Sequence, residues 1–296
     1  MGIAAIDVGA IAQAASTGLL LGGIYALSAL GLSLVLGVMR LVNLVHGEVT
    51  VLGAYLGLLA LSTFGLDPLL ALPLVFVVVG LAALPVHRLV LAPLAGRGEE
   101  AALLTTFALA VIMQNLYIQW FTGDTRAITR PYSRSTIEVL GLRLPGVYLM
   151  GFAISLGCTI AVYALMTRSG FGRRLRAGAE DPMAAGVVGV DVGRVHAQTF
   201  ALGAGLAAMG GVLLGLAFSF TPTSGTAFLL VGFAIVVVGG LGSVAGTFIG
   251  GTMLGVLQSL GALMFGDGYR GFIGLVLFLL VLALRPNGLF GRTAAT

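Results

Sequence analysis

The sequence predicts an all-α, polytopic membrane protein with about eight or nine transmembrane segments, including broken or re-entrant helices that are rich in glycine. Of the 296 residues, 58% are hydrophobic and only 9% are charged, whereas a soluble domain carries about 25% charged residues. Glycine is abundant, with 46 residues, and small residues let helices pack closely inside a bilayer. So few charges could not cover a soluble surface, and we therefore expect a surface that faces lipid.

Charged residues divide the chain into stretches long enough to cross a membrane, which takes about 20 mostly apolar residues. The uncharged stretch 194–267 is long enough for three helices, with breaks at 221–225 and 239–242. The other predicted spans are 7–40, 48–67, 67–88, 100–124, 143–168 and 271–284. We predict a single transmembrane domain over 1–296, with an external loop at about 123–145 and a cytoplasmic loop at about 167–193.

All 15 basic residues are arginine, and their distribution predicts the orientation. Because cytoplasmic loops carry an excess of basic residues, the N-terminus is expected outside and the C-terminus inside. The predicted cytoplasmic arginines are Arg40, Arg88, Arg97, Arg168, Arg173, Arg174, Arg176, Arg194, Arg285 and Arg292. The predicted external arginines are Arg126, Arg130, Arg134, Arg143 and Arg270, four of them in one loop.

The absence of lysine excludes a standard P-loop ATPase site on this chain, because that site needs a lysine to contact the phosphates. No Ser/His/Asp grouping, metal-ligand cluster or pair of carboxylates falls at membrane depth. We therefore expect no enzyme activity, cofactor or metal on this chain. The net charge of +4 does not indicate nucleic-acid binding.

The cytoplasmic loop contains the signature of a short helix over about 182–188. Asp181 is a good N-cap, Pro182 suits the first helical position, and Gly189 can end the helix. The helix would show an apolar surface at Met183, Val187 and Val188. Such a helix, preceded by arginines, is typical of docking into a groove on a partner; the alternative is a connector that lies on the lipid interface.

Polar residues cluster between Asn43 and Glu48 within an apolar sequence. Ionisable residues inside a membrane are costly and usually functional. Asn43 and His46 would share one face of a helix, and Gly47 could begin a half-helix whose amides line a pathway. Alternatively, the cluster is a cytoplasmic turn, with Glu48 in the first turn of the next helix, where the dipole favours a carboxylate.

Two further groups are candidates for function. Tyr25, Gln114 and Asn115 fall within predicted spans, where they could line a pathway or form hydrogen bonds between helices. A glycine-rich run is a candidate for close helix packing or gating. Its members are Gly239, Gly240, Gly242, Gly246 and Gly250.

Five motifs occur in an order that resembles the branched-chain amino-acid ABC permease family, in its first-permease (LivH-like) branch. They are GGIYALSALG at 22–31, NLVHGE at 43–48, GRRLRA at 172–177, VVGGLGS at 237–243 and RPNGLFG at 285–291. The resemblance covers roughly residues 15–292. The family often reads N-x-A-H-G-E where this chain has Val45, and it often has Asn or Glu-Ala-Ala around the helix that begins after Asp181. These departures could reflect a different substrate or partner.

The resemblance implies a permease subunit of an ABC importer in a bacterial plasma membrane, which carries a branched-chain or other neutral amino acid. Implied partners are a second homologous permease subunit, two ATP-binding subunits that hold ATP and Mg, and an external substrate-binding protein. The resemblance makes the cytoplasmic segment the ATPase-coupling helix: Arg173, Arg174, Arg176, Glu180, Asp181, Pro182, Met183, Ala184, Ala185, Val188 and Gly189. Arg126, Arg130, Arg134 and Arg143 could then pair with acidic residues of the binding protein. Open alternatives are a urea, amide or organic-acid substrate, or a carrier driven by an ion gradient with Glu48 as its carboxylate.

Overall fold

The fold is described from a computed structural model that covers residues 7–39, 41–94, 97–133, 135–139, 141–285 and 288–289. Eight of its helices are long and apolar enough to cross a membrane, and a ninth apolar helix is shorter. This confirms the predicted all-α class and the predicted number of spans. The helices are α1 Val8–Met39, α2 His46–Phe64, α3 Pro68–Val86, α4 Glu99–Phe121, α5 Gly146–Arg168, α6 Gly170–Glu180, α7 Pro182–Val187, α8 Val192–Ala217, α9 Gly225–Gly239, α10 Val244–Phe265 and α11 Arg270–Leu284.

Helix ends fall where the sequence provides caps. Asp67 accepts a hydrogen bond from the Leu69 amide (3.0 Å) and begins α3. Ser243 accepts one from the Gly246 amide (3.1 Å) and begins α10. The side chains satisfy amides that lack a partner in the first helical turn. The breaks predicted at 221–225 and 239–242 do separate α8, α9 and α10.

The loop between α4 and α5 contains a small antiparallel hairpin that the sequence analysis did not anticipate. Its strands are β1 Thr136–Val139 and β2 Leu142–Pro145, and Gly141 adopts a positive φ of 80° at the turn. The hairpin is anchored to the first helix through Gln13. The Gln13 side chain donates to the Arg143 carbonyl (2.7 Å) and accepts from the Arg143 amide (2.8 Å).

Helices α1 and α8 form the centre of the bundle, because both are buried over most of their length. α1 packs along α10 and α8, while α2 and α3 pack on α8. These helices approach closely through glycine: a Cβ on Gly211 would collide with the Thr50 carbonyl, and one on Gly22 with the Gly251 carbonyl. Helix association in a bilayer depends on such contacts, since lipid is as apolar as the side chains.

Contacts between loops show that the spans alternate in direction. One end of the bundle joins the start of α1 to the hairpin through Gln13. At the same end, Asp67 pairs with Arg130 (3.1 Å). The opposite end brings Gly37, near the end of α1, against Gly242 between α9 and α10. Gly288, beyond the end of α11, packs against Gly240 at this second end, so the first and last described residues lie at opposite ends of the bundle, as the topology prediction requires.

Candidate functional site

Two helices begin in the interior of the bundle at the same place. His46, the first residue of α2, lies against Gly31, which in turn contacts Gly203 near the midpoint of α8. The next residue, Gly47, touches the carbonyl of Gly225, the first residue of α9. The starts of α2 and α9 are therefore level with the middle of a membrane-spanning helix. We call this meeting point of residues 43–48 and 221–226 the α2–α9 junction.

The short length of α9 follows from this starting point. Fifteen residues at 1.5 Å each give a helix of about 22 Å, which is shorter than the hydrocarbon core of about 30 Å. The seven residues between α8 and α9 return from the end of the bundle into its interior. Non-helical backbone at membrane depth is tolerated only inside protein or along a cavity, so α9 is a half-helix. This agrees with the predicted broken or re-entrant segments.

The polar cluster at residues 43–48 is buried, and one of its predicted geometries is wrong. Asn43, His46 and Glu48 are each at most 4% exposed, so the segment is not a solvated cytoplasmic turn. Asn43 precedes α2 and accepts the His46 amide through its backbone carbonyl (3.3 Å). The two residues therefore do not share a helix face, whereas Glu48 does lie in the first turn of α2.

Neighbouring helices hold this segment in place. Nε2 of His46 donates to the Ser28 carbonyl (2.9 Å), and the Tyr117 hydroxyl donates to the Glu48 carbonyl (3.0 Å). The Glu48 carboxylate lies directly against Gly225, where any side chain would displace it. Within the described part of the chain, Oε2 of Glu48 has no hydrogen-bond partner. A buried carboxylate in this state is expensive unless a ligand, a proton or water compensates it.

The start of α9 carries hydroxyl groups, whereas the sequence predicted only a helix break at this place. Oγ of Ser224 accepts from the Thr221 amide (2.9 Å) instead of capping the helix. Thr223 and Thr226 are exposed on the protein surface. The signal in the sequence was the run TPTSGT at 221–226, in which four hydroxyl residues surround a glycine within an uncharged stretch.

The other predicted pathway residues lie apart from this cluster or contact their own helix. Tyr25 is buried and stacks on Phe218, with the ring centroids 6.3 Å apart. Asn115 is exposed and donates to the Val111 carbonyl one turn earlier (2.8 Å). Gln114 is half-buried on the same helix. Their role in a pathway stays a prediction.

The predicted cytoplasmic helix forms as its caps require. Oδ1 of Asp181 accepts the amides of Met183 (2.9 Å) and Ala184 (3.0 Å), and Pro182 is the first residue of α7. The helix ends at Val187, one residue earlier than predicted, and Gly189 follows with φ of 85°.

The exposed surface of α7 is apolar, as predicted. Met183 is 82% exposed, Val187 85% and Val188 77%. Ala185 is only 3% exposed, so its side chain faces the protein and cannot contact a partner directly. The arginines before α7 differ among themselves: Arg173 and Arg174 are exposed, whereas Arg176 is half-buried and donates to the Met166 carbonyl.

The glycine-rich run brings α9 and α10 into backbone contact. Gly239 packs against the carbonyl of Gly246, and Gly250 packs against Ile235 and Gly239. Gly240 and Gly242 adopt φ of 91° and 75° in the connecting turn, a region that residues with a Cβ rarely adopt. The structure thus gives these glycines a packing role, and a gating role stays a prediction.

The arginines predicted to be external have different partners. Nε of Arg130 contacts Oδ2 of Asp67 at 3.1 Å, and Arg126 contacts Asp124 at 3.4 Å. Arg143 is exposed and stands opposite Glu138 in the hairpin. Arg134 lies outside the described residues, as do Arg40 and Arg292 of the orientation prediction. Arg130, being tied to Asp67, is therefore a poor candidate for pairing with another protein.

Residues 14–282 match the profile of a family described as the permease component of the branched-chain amino acid transport system. The chain belongs to this permease family. The permease is 30% identical over 93% of its length to the high-affinity branched-chain amino acid transport permease protein BraD of Pseudomonas aeruginosa, and the match covers 94% of that relative. Its identity to the LivH permease protein of Escherichia coli is also 30%, with the same coverage of both chains.

Two further comparisons are more distant. A probable branched-chain amino acid transport permease protein LivH of Methanocaldococcus jannaschii is 29% identical over 90% of this permease and 88% of the relative. A solved structure of PsaBC from Streptococcus pneumoniae in complex with Fab has a TM-score of 0.51 at 12% identity, with 93% of each chain covered. That likeness concerns the fold alone. The permease is thus a multi-pass membrane protein of a transport family.

Proposed function

We propose that this chain is the membrane-spanning subunit of an ABC importer for branched-chain or other neutral amino acids, without enzyme activity of its own. The family match over most of the chain is the observation that carries the proposal. A substrate-binding protein delivers the amino acid outside, and two separate ATP-binding subunits supply ATP and Mg inside. A second, homologous permease subunit completes the pathway.

The arginine distribution supports the orientation of this importer. Among the described residues, eight arginines lie at the end of the bundle that carries α7: Arg88, Arg97, Arg168, Arg173, Arg174, Arg176, Arg194 and Arg285. Four lie at the opposite end: Arg126, Arg130, Arg143 and Arg270. The excess of basic residues favours the α7 end as cytoplasmic, in the plasma membrane of a bacterium. The N-terminus is then outside and the C-terminus inside.

The surface of α7 supports docking of an ATP-binding subunit. Met183, Val187 and Val188 form an exposed apolar patch on and directly after this short helix. The caps at Asp181 and Gly189 make this short helix rigid, which reduces the conformational entropy lost on binding. A rigid apolar helix is suited to a groove on a partner and transmits a movement of that partner to α6 and α8.

Co-purification with candidate ATP-binding subunits tests the proposal. We compare the wild-type chain with the double variant Met183→Glu/Val187→Glu, in which two exposed apolar side chains become charged. The matched control is Ile137→Glu/Val139→Glu, which changes two exposed apolar residues of the hairpin at the other end of the bundle. Both variants should remain folded, because none of the four side chains is buried.

The expected result is that the wild type and the hairpin control capture the ATP-binding subunit, and that the α7 variant loses at least about tenfold in capture. ATP-dependent leucine uptake into proteoliposomes should fall in parallel. If the wild type captures no ATP-binding subunit but accumulates leucine in response to an ion gradient, the chain is a gradient-driven carrier. Capture that is equal in all three forms would instead disprove the role of α7.

A further inference from the structure

At the α2–α9 junction, no side chain of the described residues caps the first turn of α9. The first amides of a helix need partners, and a buried helix end without them is exceptional. Asp67, Ser169, Asp181, Asp191 and Ser243 cap the helices that follow them. Neither α2 nor α9 has a side-chain cap among the described residues, although both begin in the interior. The amide end of α9 therefore favours a group with negative charge.

The same junction also favours a group with positive charge. Glu48 is 4% exposed, its carboxylate lies against Gly225, and its Oε2 lacks a partner within the described chain. The neighbouring side chains are His46, two residues earlier in α2, and Tyr117 on α4; each is bonded to a backbone carbonyl. Neither supplies a cation to the Glu48 carboxylate. Within the described part of the chain, a carboxylate whose Oε2 has no partner thus lies beside a helix start without a side-chain cap.

We infer that the α2–α9 junction binds the charged head group of the transported amino acid, with its ammonium on Glu48 and its carboxylate at the hydroxyl-lined start of α9. This inference rests on the proposed function and adds the position and chemistry of the site. A zwitterion carries both charges that the junction favours, and it brings no net charge into the membrane. A simple cation or a simple anion would satisfy only one of the two groups.

The hydroxyl groups at the start of α9 are reachable from the surface of the subunit, and they add hydrogen-bond donors for the carboxylate of the ligand. Thr223 and Thr226 are exposed at the surface of the subunit, close to the amides of the first helical turn. Hydroxyl groups donate readily to a carboxylate, and a membrane protein rarely presents such groups to lipid without reason. This face of α9 therefore borders the aqueous pathway between the two permease subunits.

The supporting contacts fix the geometry of the junction. Ser28 is bonded to His46 through its carbonyl (2.9 Å) and to Thr50 through its hydroxyl (3.1 Å). Tyr117 fixes the backbone of Glu48 from α4 (3.0 Å). These contacts tie α2 to α1 and to α4 and hold Glu48 in one position before any substrate arrives. Such preorganisation reduces the cost of binding a small polar ligand.

Cysteine accessibility tests the pathway separately from substrate recognition. Cys158 is the only cysteine of the chain, so a Cys158→Ala background permits single-site labelling of the assembled transporter in proteoliposomes. Thr226→Cys should react with a charged, membrane-impermeant thiol reagent at least about tenfold faster than Leu81→Cys, because thiols react as thiolates in water. Leu81 is 61% exposed near the middle of the span Pro68–Leu94, which begins with α3, and serves as the lipid-facing control. Equal, slow labelling of both would overturn the inference.

Protection of Thr226→Cys from labelling then tests whether the junction recognises both the ammonium and the carboxylate of the ligand. Leucine should slow the labelling of Thr226→Cys, whereas 3-methylbutylamine, which lacks the carboxylate, and 4-methyl-2-oxopentanoate, which lacks the amine, should protect at least about tenfold less well. Adding Glu48→Gln should abolish protection by leucine without changing the labelling rate in its absence. The matched control is Ser155→Ala, which removes a buried hydroxyl without a partner from α5 and should leave protection intact.

Two results separate failure of this inference from failure of the proposed function. A wild-type transporter that captures the ATP-binding subunit and accumulates leucine, but whose Glu48→Gln variant retains full leucine protection, refutes the inference alone. In that case Glu48 only fastens α2 to α9. A wild-type transporter that neither captures the ATP-binding subunit nor takes up leucine refutes the proposed function. If leucine then also fails to slow the labelling of Thr226→Cys, the head-group site is refuted as well.

Discussion

Asp67 and Arg130 are 63 residues apart in sequence, yet Nε of Arg130 donates to Oδ2 of Asp67 over 3.1 Å. Asp67 also caps α3 through the Leu69 amide (3.0 Å) and accepts from the Tyr132 hydroxyl (2.8 Å). One carboxylate thus joins the turn between α2 and α3 to the long loop between α4 and α5. The hairpin that follows in this loop is then held at its other end by Gln13.

We expect Asp67→Ala to lower the free energy of unfolding by about 1–2 kcal/mol. The lost N-cap accounts for about 1 kcal/mol, and the partly exposed ion pair adds less than about 1 kcal/mol. Asp124→Ala, which removes the more exposed pair with Arg126 and no cap, should cost less than about 0.5 kcal/mol. Thermal unfolding in detergent, followed by size-exclusion chromatography, compares the two. Equal melting temperatures would contradict the assignment of Asp67 as an anchor.

A second prediction concerns the cap of the proposed coupling helix. Asp181→Ala removes the acceptor for two amides and should cost α7 about 1 kcal/mol, which is large for a helix of six residues. ATP-driven leucine uptake should fall severalfold, and Asp181→Asn should restore most of it. Asp191→Ala is the control: it removes the cap of α8, but tertiary packing holds that helix. Similar uptake in both alanine variants would argue against a coupling role for α7.

Close packing between α2 and α8 gives a third prediction. Gly211→Ala would place a Cβ against the Thr50 carbonyl, and overpacking of this kind costs about 1–3 kcal/mol. Gly157→Ala on α5 adds the same methyl group where no atom lies within 4 Å. Melting temperatures in detergent should therefore fall for Gly211→Ala and stay unchanged or rise for Gly157→Ala. The opposite order would show that α2 and α8 are not packed as described.

The arginines of the proposed external loop give a fourth prediction. Arg143→Glu reverses an exposed charge on β2, while the bonds to Gln13 use only the backbone of Arg143 and survive the substitution. If the binding protein docks through acidic residues, its association should slow severalfold at low salt, and the difference should vanish at high salt. Surface plasmon resonance with the reconstituted permease measures this. Arg194→Glu, at the opposite end of the bundle, should leave the association rate unchanged.

Elements that depend on nearby residues could be predicted from the sequence. The spans followed from runs of apolar residues bounded by charges, and α7 followed from Asp181, Pro182 and Gly189. Each of these features acts within one helix or one turn, since the cost of burying a charge or of leaving an amide without a partner is local. The exposure of Met183, Val187 and Val188 was predictable for the same reason.

Features that depend on distant residues were not predictable. The sequence determined that the chain crosses a membrane, where most spans begin and end, and to which family it belongs. Only the tertiary structure decided that Arg130 pairs with Asp67, that Ala185 faces inward, and that Glu48 meets Gly225 in the middle of the bundle. Those positions are set by the packing of α2 on α8, of α9 on α1 and of α2 on α9, and that packing arises from contacts between residues far apart in the chain.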